Sequence, residues 1–152
     1  MPRSDRDDRR PRIVTFLAAV NAAGFATTLL FGGLVSVRRL VPLPGSLTAA
    51  ADRANAAVTY GFMIGDVLYS APLLLAAAVG LWRLRSWGWL AAQIVNALWI
   101  YSMTVILLRD AYTRLSPGGV LFLPFAVVSI WAIPRLWQCR AMFGVDAGPV
   151  WT

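Results

Sequence analysis

The 152-residue chain contains no histidine, lysine or glutamate, and its one cysteine is Cys139. Without histidine and with a single thiol, the sequence excludes histidine-ligated haem or zinc and a two-cysteine redox relay. The absence of lysine excludes a Schiff base to a retinal-like cofactor. We therefore expect no metal and no cofactor. Cys139 is expected to be a small apolar packing residue.

Charge is also scarce. Charged residues make up 14% of the chain and hydrophobic residues 59%, whereas a typical soluble domain is about 25% charged. The 14 basic residues are all arginines and lie at the ends of hydrophobic blocks. Because arginine is enriched in cytoplasmic loops, this placement explains the net charge of +7 without nucleic acid. We expect the lipid bilayer as a partner, and no nucleic acid.

Four hydrophobic segments predict membrane-spanning helices, since about 20 apolar residues cross the hydrocarbon core. They lie at about residues 13–35, 57–80, 87–108 and 120–136. The first exceeds the apolar part of a cleaved signal peptide, about 7–15 residues, so we expect it to stay in the mature protein. The predicted fold is an all-α membrane protein, a four-transmembrane-helix bundle.

Two polar tails flank this transmembrane domain, which we place at residues 13–139. Residues 1–12 hold five arginines and three aspartates, a composition typical of a disordered basic tail. Residues 140–152 form a short C-terminal tail. The sequence therefore predicts one membrane domain with almost no mass outside the lipid.

The second hydrophobic segment carries several structural signals. Ser46, in the long connection before it, is suited to cap a helix that begins outside the lipid. Gly61 and Gly65 have GxxxG spacing, which we interpret as a packing face within the bundle, with a dimer interface as the alternative. Pro72 removes a backbone hydrogen bond and predicts a kink.

The arginine distribution predicts the orientation. Nine arginines lie in the N-terminal tail, in the loop after the second segment and at the C-terminal end from Arg135 onward, and five lie on the other face, so both termini should be cytoplasmic. Four tryptophans fall at the cytoplasmic level, where indole rings favour the headgroup region. They are Trp82, Trp87, Trp89 and Trp137. The Arg-, Ala- and Gly-rich composition indicates a bacterial source, and we expect a multi-pass protein of the inner membrane.

Asp66 is the only carboxylate inside any predicted span. Because an ionisable side chain costs several kcal/mol in lipid, it normally faces the bundle interior or a water-filled cavity. At about 1.5 Å per residue, Asp66 lies roughly 21 Å above the cytoplasmic edge of its span. Residues of the first and third spans at the same height are expected to reach it. They are Thr27, Thr28, Tyr101 and Ser102.

A second polar layer lies closer to the cytoplasm. At roughly 12 Å above the same edge, it contains Asn21, Asn96 and Ser129 from three spans. Two stacked polar layers indicate a pocket or a polar path through the bundle. The alternative is plain packing, because such side chains commonly bond across transmembrane helices, at about 0.6 kcal/mol each. For Asp66 the alternative is a buried structural hydrogen bond.

Three functions are compatible with this pattern. The first is a non-enzymatic protein, either an accessory subunit or a binder of a lipophilic small molecule, because no nucleophile–base pair is present. The second is a small proton-coupled transporter using Asp66. Known four-span drug exporters carry an essential glutamate in the first span, which this chain lacks, so the likeness is one of size.

The third function is a membrane-embedded enzyme acting on a lipid or isoprenoid. Only Asp66 and Tyr101 offer an acid–base pair for it. We therefore assign no catalytic residue. A membrane-protein partner or a homo-oligomer stays open.

Overall fold

The computed structural model describes residues 10–38, 41–113 and 118–145. Within these ranges every regular element is helical and no β-strand occurs, which confirms the all-α prediction. The helices are α1 (Arg12–Arg38), α2 (Ala50–Gly65), α3 (Ala71–Trp82), α4 (Ser86–Thr113) and α5 (Gly118–Gln138). A π-helical turn, Asp66–Ser70, joins α2 to α3, and short 3₁₀ turns lie at Pro44–Ser46 and Arg140–Phe143.

Three helices are long and apolar enough to cross a membrane. They are Arg12–Val37, the continuous helix Ala50–Trp82, and Ser86–Tyr112. α5 holds a shorter apolar stretch, Phe122–Gln138. Large apolar side chains point away from the bundle, as in Leu30 and Tyr112, which are 64% and 87% exposed. An apolar outer surface of this extent is typical of a membrane protein.

The helices form a bundle in which α3 and α5 both pack against α4, and α1 packs mainly against α3. Phe16 of α1 meets Trp131 of α5 edge-on, with ring centroids 6.2 Å apart, which closes the bundle on its fourth side. Most of the buried core lies in the half of the bundle next to the α3–α4 turn, which we call the hairpin half. It is centred on Leu17, Leu74, Leu81, Val95 and Leu136.

Two glycines let α3 and α4 approach closely at their shared turn. A Cβ on Gly80 would overlap the backbone of Gly88, and a Cβ on Gly88 would overlap that of Gly80. Leu84, in the turn, has a positive φ of 51°, and the Arg85 N–H donates to the Gly80 carbonyl at 2.9 Å. The small residues therefore fix the separation of the two helices at this end.

Two sequence interpretations need correction here. Ser46 does not cap α2: its Oγ donates to the Leu43 carbonyl at 2.8 Å, and α2 begins at Ala50 without a side-chain cap. Trp89 is not a headgroup anchor, because it is buried and its Nε1 donates to the Leu136 carbonyl at 2.8 Å. That carbonyl lies in the last turn of α5, where backbone carbonyls have no N–H of the same helix to accept from.

The irregularity expected from Pro72 is a π-helical turn just before it. The Ala71 N–H donates to the Asp66 carbonyl, five residues back. Proline lacks an N–H and its ring crowds the carbonyl four residues earlier, so widening the preceding turn relieves the clash. The wide turn begins at Asp66, the residue that the sequence singles out.

Candidate functional site

α2 stands apart from the rest of the bundle. Of its sixteen residues only Ala56 is buried, and α2 does not pack closely against α1, α4 or α5. The half of the bundle away from the α3–α4 turn is therefore wedge-shaped, and we call it the open half. Its opening is bounded by α2 on one side and the end of α4 on the other.

The wedge encloses a cleft of about 660 Å³, including its open mouth. The wall is mostly apolar and rich in aromatic rings, from Phe31, Phe62, Met63, Trp99, Met103, Ile106 and Phe122. Five polar or charged residues interrupt it, namely Thr28, Thr59, Asp66, Ser102 and Arg109. An apolar cavity with a few polar groups is the usual composition of a ligand site.

Asp66 lies at the border between this cleft and a second opening. It also lines a shallow groove of about 840 Å³ on the outer face of the helices, between α2 and α4. One Asp66 oxygen accepts a hydrogen bond from Ser70 Oγ at 2.9 Å, within the π-helical turn. One carboxylate thus faces both the cleft and the surface that lipid would cover.

The four residues predicted to surround Asp66 take four different positions. Ser102 lines both the cleft and the groove with Asp66, whereas Thr28 lines the cleft alone and Tyr101 the groove alone. Thr27 lines neither. Among the described residues the hydrogen-bond partner of Asp66 is Ser70, which the sequence analysis missed. The signal was the spacing of four residues, which places two side chains on one helical face.

The GxxxG pair does not form a packing face. A Cβ on Gly61 or Gly65 would meet no atom of the described residues within 4 Å, and both glycines line the lateral groove. The interpretation as a packing face within the bundle is therefore wrong. Instead, the missing side chains keep the groove open beside Asp66.

Arg109 carries the other charge in the cleft, and it is not among the site residues predicted from the sequence. Its Nη2 and Nε donate to Asp110 Oδ1 at 2.7 and 3.0 Å, and its Nη1 donates to Thr59 Oγ1 at 2.8 Å. The Gly119 N–H donates to Asp110 Oδ2 at 3.3 Å. The Arg109–Asp110 pair therefore connects α4 to α2 and to the start of α5.

The second predicted layer comes together in the hairpin half. Asn21, Asn96 and Ser129 are all buried and line a small cavity. Asn21 Nδ2 donates to the Leu17 carbonyl at 2.7 Å, and Ser129 Oγ donates to the Phe125 carbonyl at 2.8 Å. Both bonds stay within one helix, so neither supports the packing alternative, in which these side chains bond across helices.

Trp99 separates the two cavities, since its ring lines both. It stacks on Phe125 with ring centroids 5.2 Å apart and an interplanar angle of 19°. Phe122 lies against it at 5.7 Å. The indole is therefore held in place by aromatic neighbours of α5.

The chain matches no protein-family model, and neither a curated protein nor a solved structure resembles it significantly. No group of three or more His, Cys, Asp or Glu side chains suited to a metal occurs among the described residues. The chemistry of the cleft is thus the basis for assigning a function.

Proposed function

We propose that the chain is a four-span protein of a bacterial inner membrane, with both termini in the cytoplasm, that binds a lipophilic molecule without transforming it. At about 1.5 Å per residue, the 21 residues of α5 extend roughly 31 Å. That length supports a fourth crossing of a hydrocarbon core of about 30 Å. The arginine distribution supports the orientation, and the composition supports the bacterial assignment.

The observation that carries the binding function is the cleft itself. Its wall combines apolar and aromatic side chains with a few polar groups, which is the composition typical of small-molecule sites. The lateral groove beside Gly61 and Gly65 borders the same carboxylate, so a lipophile has a route from the bilayer to Asp66. A ligand that enters by this route never has to cross water.

The charge balance of the cleft favours a ligand with a positive group. The charge of Arg109 is compensated by Asp110, which leaves the charge of Asp66 for the ligand. Aromatic rings such as Trp99, Phe31 and Phe62 line the same space, and their faces attract cations. A lipophilic cation satisfies both the apolar wall and the carboxylate.

Tetraphenylphosphonium, a permanently charged lipophilic cation, is the test ligand. Equilibrium dialysis against protein in nanodiscs, with empty nanodiscs subtracted, measures its affinity. We expect Asp66→Asn to weaken binding about tenfold or more, because it removes a charge-assisted contact from an apolar site. Asp52→Asn, which removes an exposed carboxylate in the first turn of α2, should leave the affinity unchanged.

Equal loss in both variants would attribute binding to the overall charge and contradict a role for Asp66. Absence of saturable binding to the wild type would contradict the lipophile site as a whole. A melting-temperature measurement on Asp66→Asn, compared with the wild type, separates lost binding from lost folding.

Proton-coupled transport through Asp66 is the second candidate, favoured by the position of this one carboxylate at two openings. Proteoliposomes with an imposed proton gradient discriminate it from simple binding. Gradient-driven accumulation of tetraphenylphosphonium that Asp66→Asn abolishes would establish transport. Our proposal expects no accumulation above that of protein-free vesicles.

An enzymatic role is less well supported by the geometry. Tyr101 lines the lateral groove together with Asp66, but the hydroxyl that bonds Asp66 belongs to Ser70. Among the described residues no hydrogen bond joins Tyr101 to Asp66, so a coupled acid–base pair for a lipid-transforming enzyme rests on the shared groove alone.

A further inference from the structure

One buried donor in the hairpin half has no hydrogen-bond partner among the described residues. Asn96 is 6% exposed, and its Nδ2 makes no hydrogen bond to any described residue. Its side chain lines the small cavity shared with Asn21 and Ser129. Buried amide groups in folded proteins are nearly always hydrogen-bonded to protein or to ordered water, so this donor requires a partner.

The neighbouring polar side chains offer acceptors. The Ser129 hydroxyl hydrogen is engaged by the Phe125 carbonyl, which leaves lone pairs on Oγ. Asn21 Nδ2 is engaged by the Leu17 carbonyl, which leaves Asn21 Oδ1 as an acceptor. The layer therefore combines an unused N–H donor from α4 with acceptors from α1 and α5.

We infer that the cavity is a binding site for a water molecule, which accepts from Asn96 Nδ2 and donates to Asn21 Oδ1 and Ser129 Oγ. Three hydrogen bonds are the usual number for a buried water. The cavity has room for about one water molecule and none for an organic ligand. Among the residues that the structure describes, no charged side chain lines it, so nothing in this lining would hold an ion.

The water joins three helices whose polar side chains in this layer make no hydrogen bond to one another among the described residues. Asn21 belongs to α1, Asn96 to α4 and Ser129 to α5. Trp99 separates the site from the cleft, so the site is distinct from that of the proposed lipophile. The inference does not depend on the proposed function.

Three asparagines make the site accessible to spectroscopy. Protein labelled with ¹⁵N-asparagine gives side-chain amide signals from Asn21, Asn55 and Asn96 alone. Asn55→Asp and Asn21→Asp each remove one signal and so assign the third. Solid-state NMR in liposomes, with magnetisation transferred from water, measures which amides contact water.

We expect the Asn96 amide to gain intensity from water, although the side chain is almost fully buried. In Asn96→Leu, which removes the donor and keeps the size, the Asn21 amide should lose most of its water signal. Asn55 lies outside the cavity and serves as the internal reference in both samples.

An Asn96 amide that gains no intensity from water, while Asn55 gains it fully, would overturn the inference. So would an unchanged water signal of Asn21 in Asn96→Leu. The first result comes from the wild type alone, so the test stands even if the leucine variant fails to fold.

Discussion

The hairpin half and the open half of the bundle differ in how closely their side chains pack. In the hairpin half, Ala77, Ala92 and Ala132 are completely buried between large aliphatic residues, and Gly80 and Gly88 bring two backbones together. In the open half, Met103, Phe122 and Ala126 form a much smaller buried cluster. The close packing keeps the helices together, and the loose packing leaves room for a ligand.

Polar contacts replace apolar packing where α2 diverges from the bundle. Arg109 bonds Thr59, and the Tyr60 hydroxyl donates to the Val41 carbonyl at 2.9 Å. Ser36 Oγ donates to Met63 Sδ at 3.6 Å. Such contacts define a position for α2 without filling the space behind it, which is what a cleft with a lateral entrance requires.

The largest effect is expected in the hairpin half, from Gly80→Ala. The added methyl overlaps the backbone of Gly88, which cannot yield as a flexible side chain would. We expect a loss of about 2–3 kcal/mol in the free energy of unfolding. Gly33→Ala is the matched control, because a Cβ there meets no atom within 4 Å in the described part of the chain. Thermal unfolding in detergent measures both, and equal stability of the two variants would contradict the close approach.

Arg109→Gln should have the next largest effect and should act on the open half. It leaves Asp110, whose side chain is 15% exposed, without its ion-pair partner, at an expected cost of about 2 kcal/mol. It also removes the bond to Thr59, so amide hydrogen exchange should rise in α2 more than in α3. Arg53→Gln, an exposed arginine of α2, is the control. Exchange that rises uniformly would contradict a local tether.

Ser102→Phe tests whether the cleft is the binding space. The ring would fill the volume between Asp66 and Met103, and we expect at least about tenfold weaker binding of tetraphenylphosphonium, or about 1.4 kcal/mol. Thr104→Phe adds similar bulk on an exposed face of the same helix and should bind normally. Equal affinities in the two variants would place the ligand elsewhere.

The smallest effect is expected from Trp89→Phe. The change keeps an aromatic ring in the hairpin half but removes the hydrogen bond to the Leu136 carbonyl, at a cost of about 1 kcal/mol. Trp87→Phe, at an exposed position of α4, should be neutral. Chemical denaturation measures the free energy of unfolding of both variants. Equal values would contradict the prediction and would show that the Leu136 carbonyl finds another partner.

The sequence predicts the positions of the helices and the heights of their polar residues better than it predicts which way those side chains face. A rise of about 1.5 Å per residue places Thr28 and Ser102 beside Asp66, as the structure does. Thr27 has nearly the same height, but successive residues of a helix are rotated by about 100° about its axis. The rise per residue gives the height of a side chain and not the direction in which it points. A single sequence does not fix how each helix turns about its own axis.

The other errors have local causes. Ser70 was missed as the partner of Asp66 because partners were sought on other spans rather than one turn along the same helix. The GxxxG spacing of Gly61 and Gly65 identifies a smooth surface, but it does not say whether a helix covers that surface. Trp89 resembles an interfacial tryptophan by position, and only the packing of α5 shows that it is enclosed.

The central claim is that the open half accommodates a lipophilic cation against Asp66. A pair of ions of nearly the same size and opposite charge, tetraphenylphosphonium and tetraphenylborate, tests it most directly in dialysis against wild-type nanodiscs. We expect saturable binding of the cation, with an affinity at least about tenfold above that of the anion, and loss of the difference in Asp66→Asn. Equal binding of both ions to the wild type, or a preference for the anion, would contradict the account.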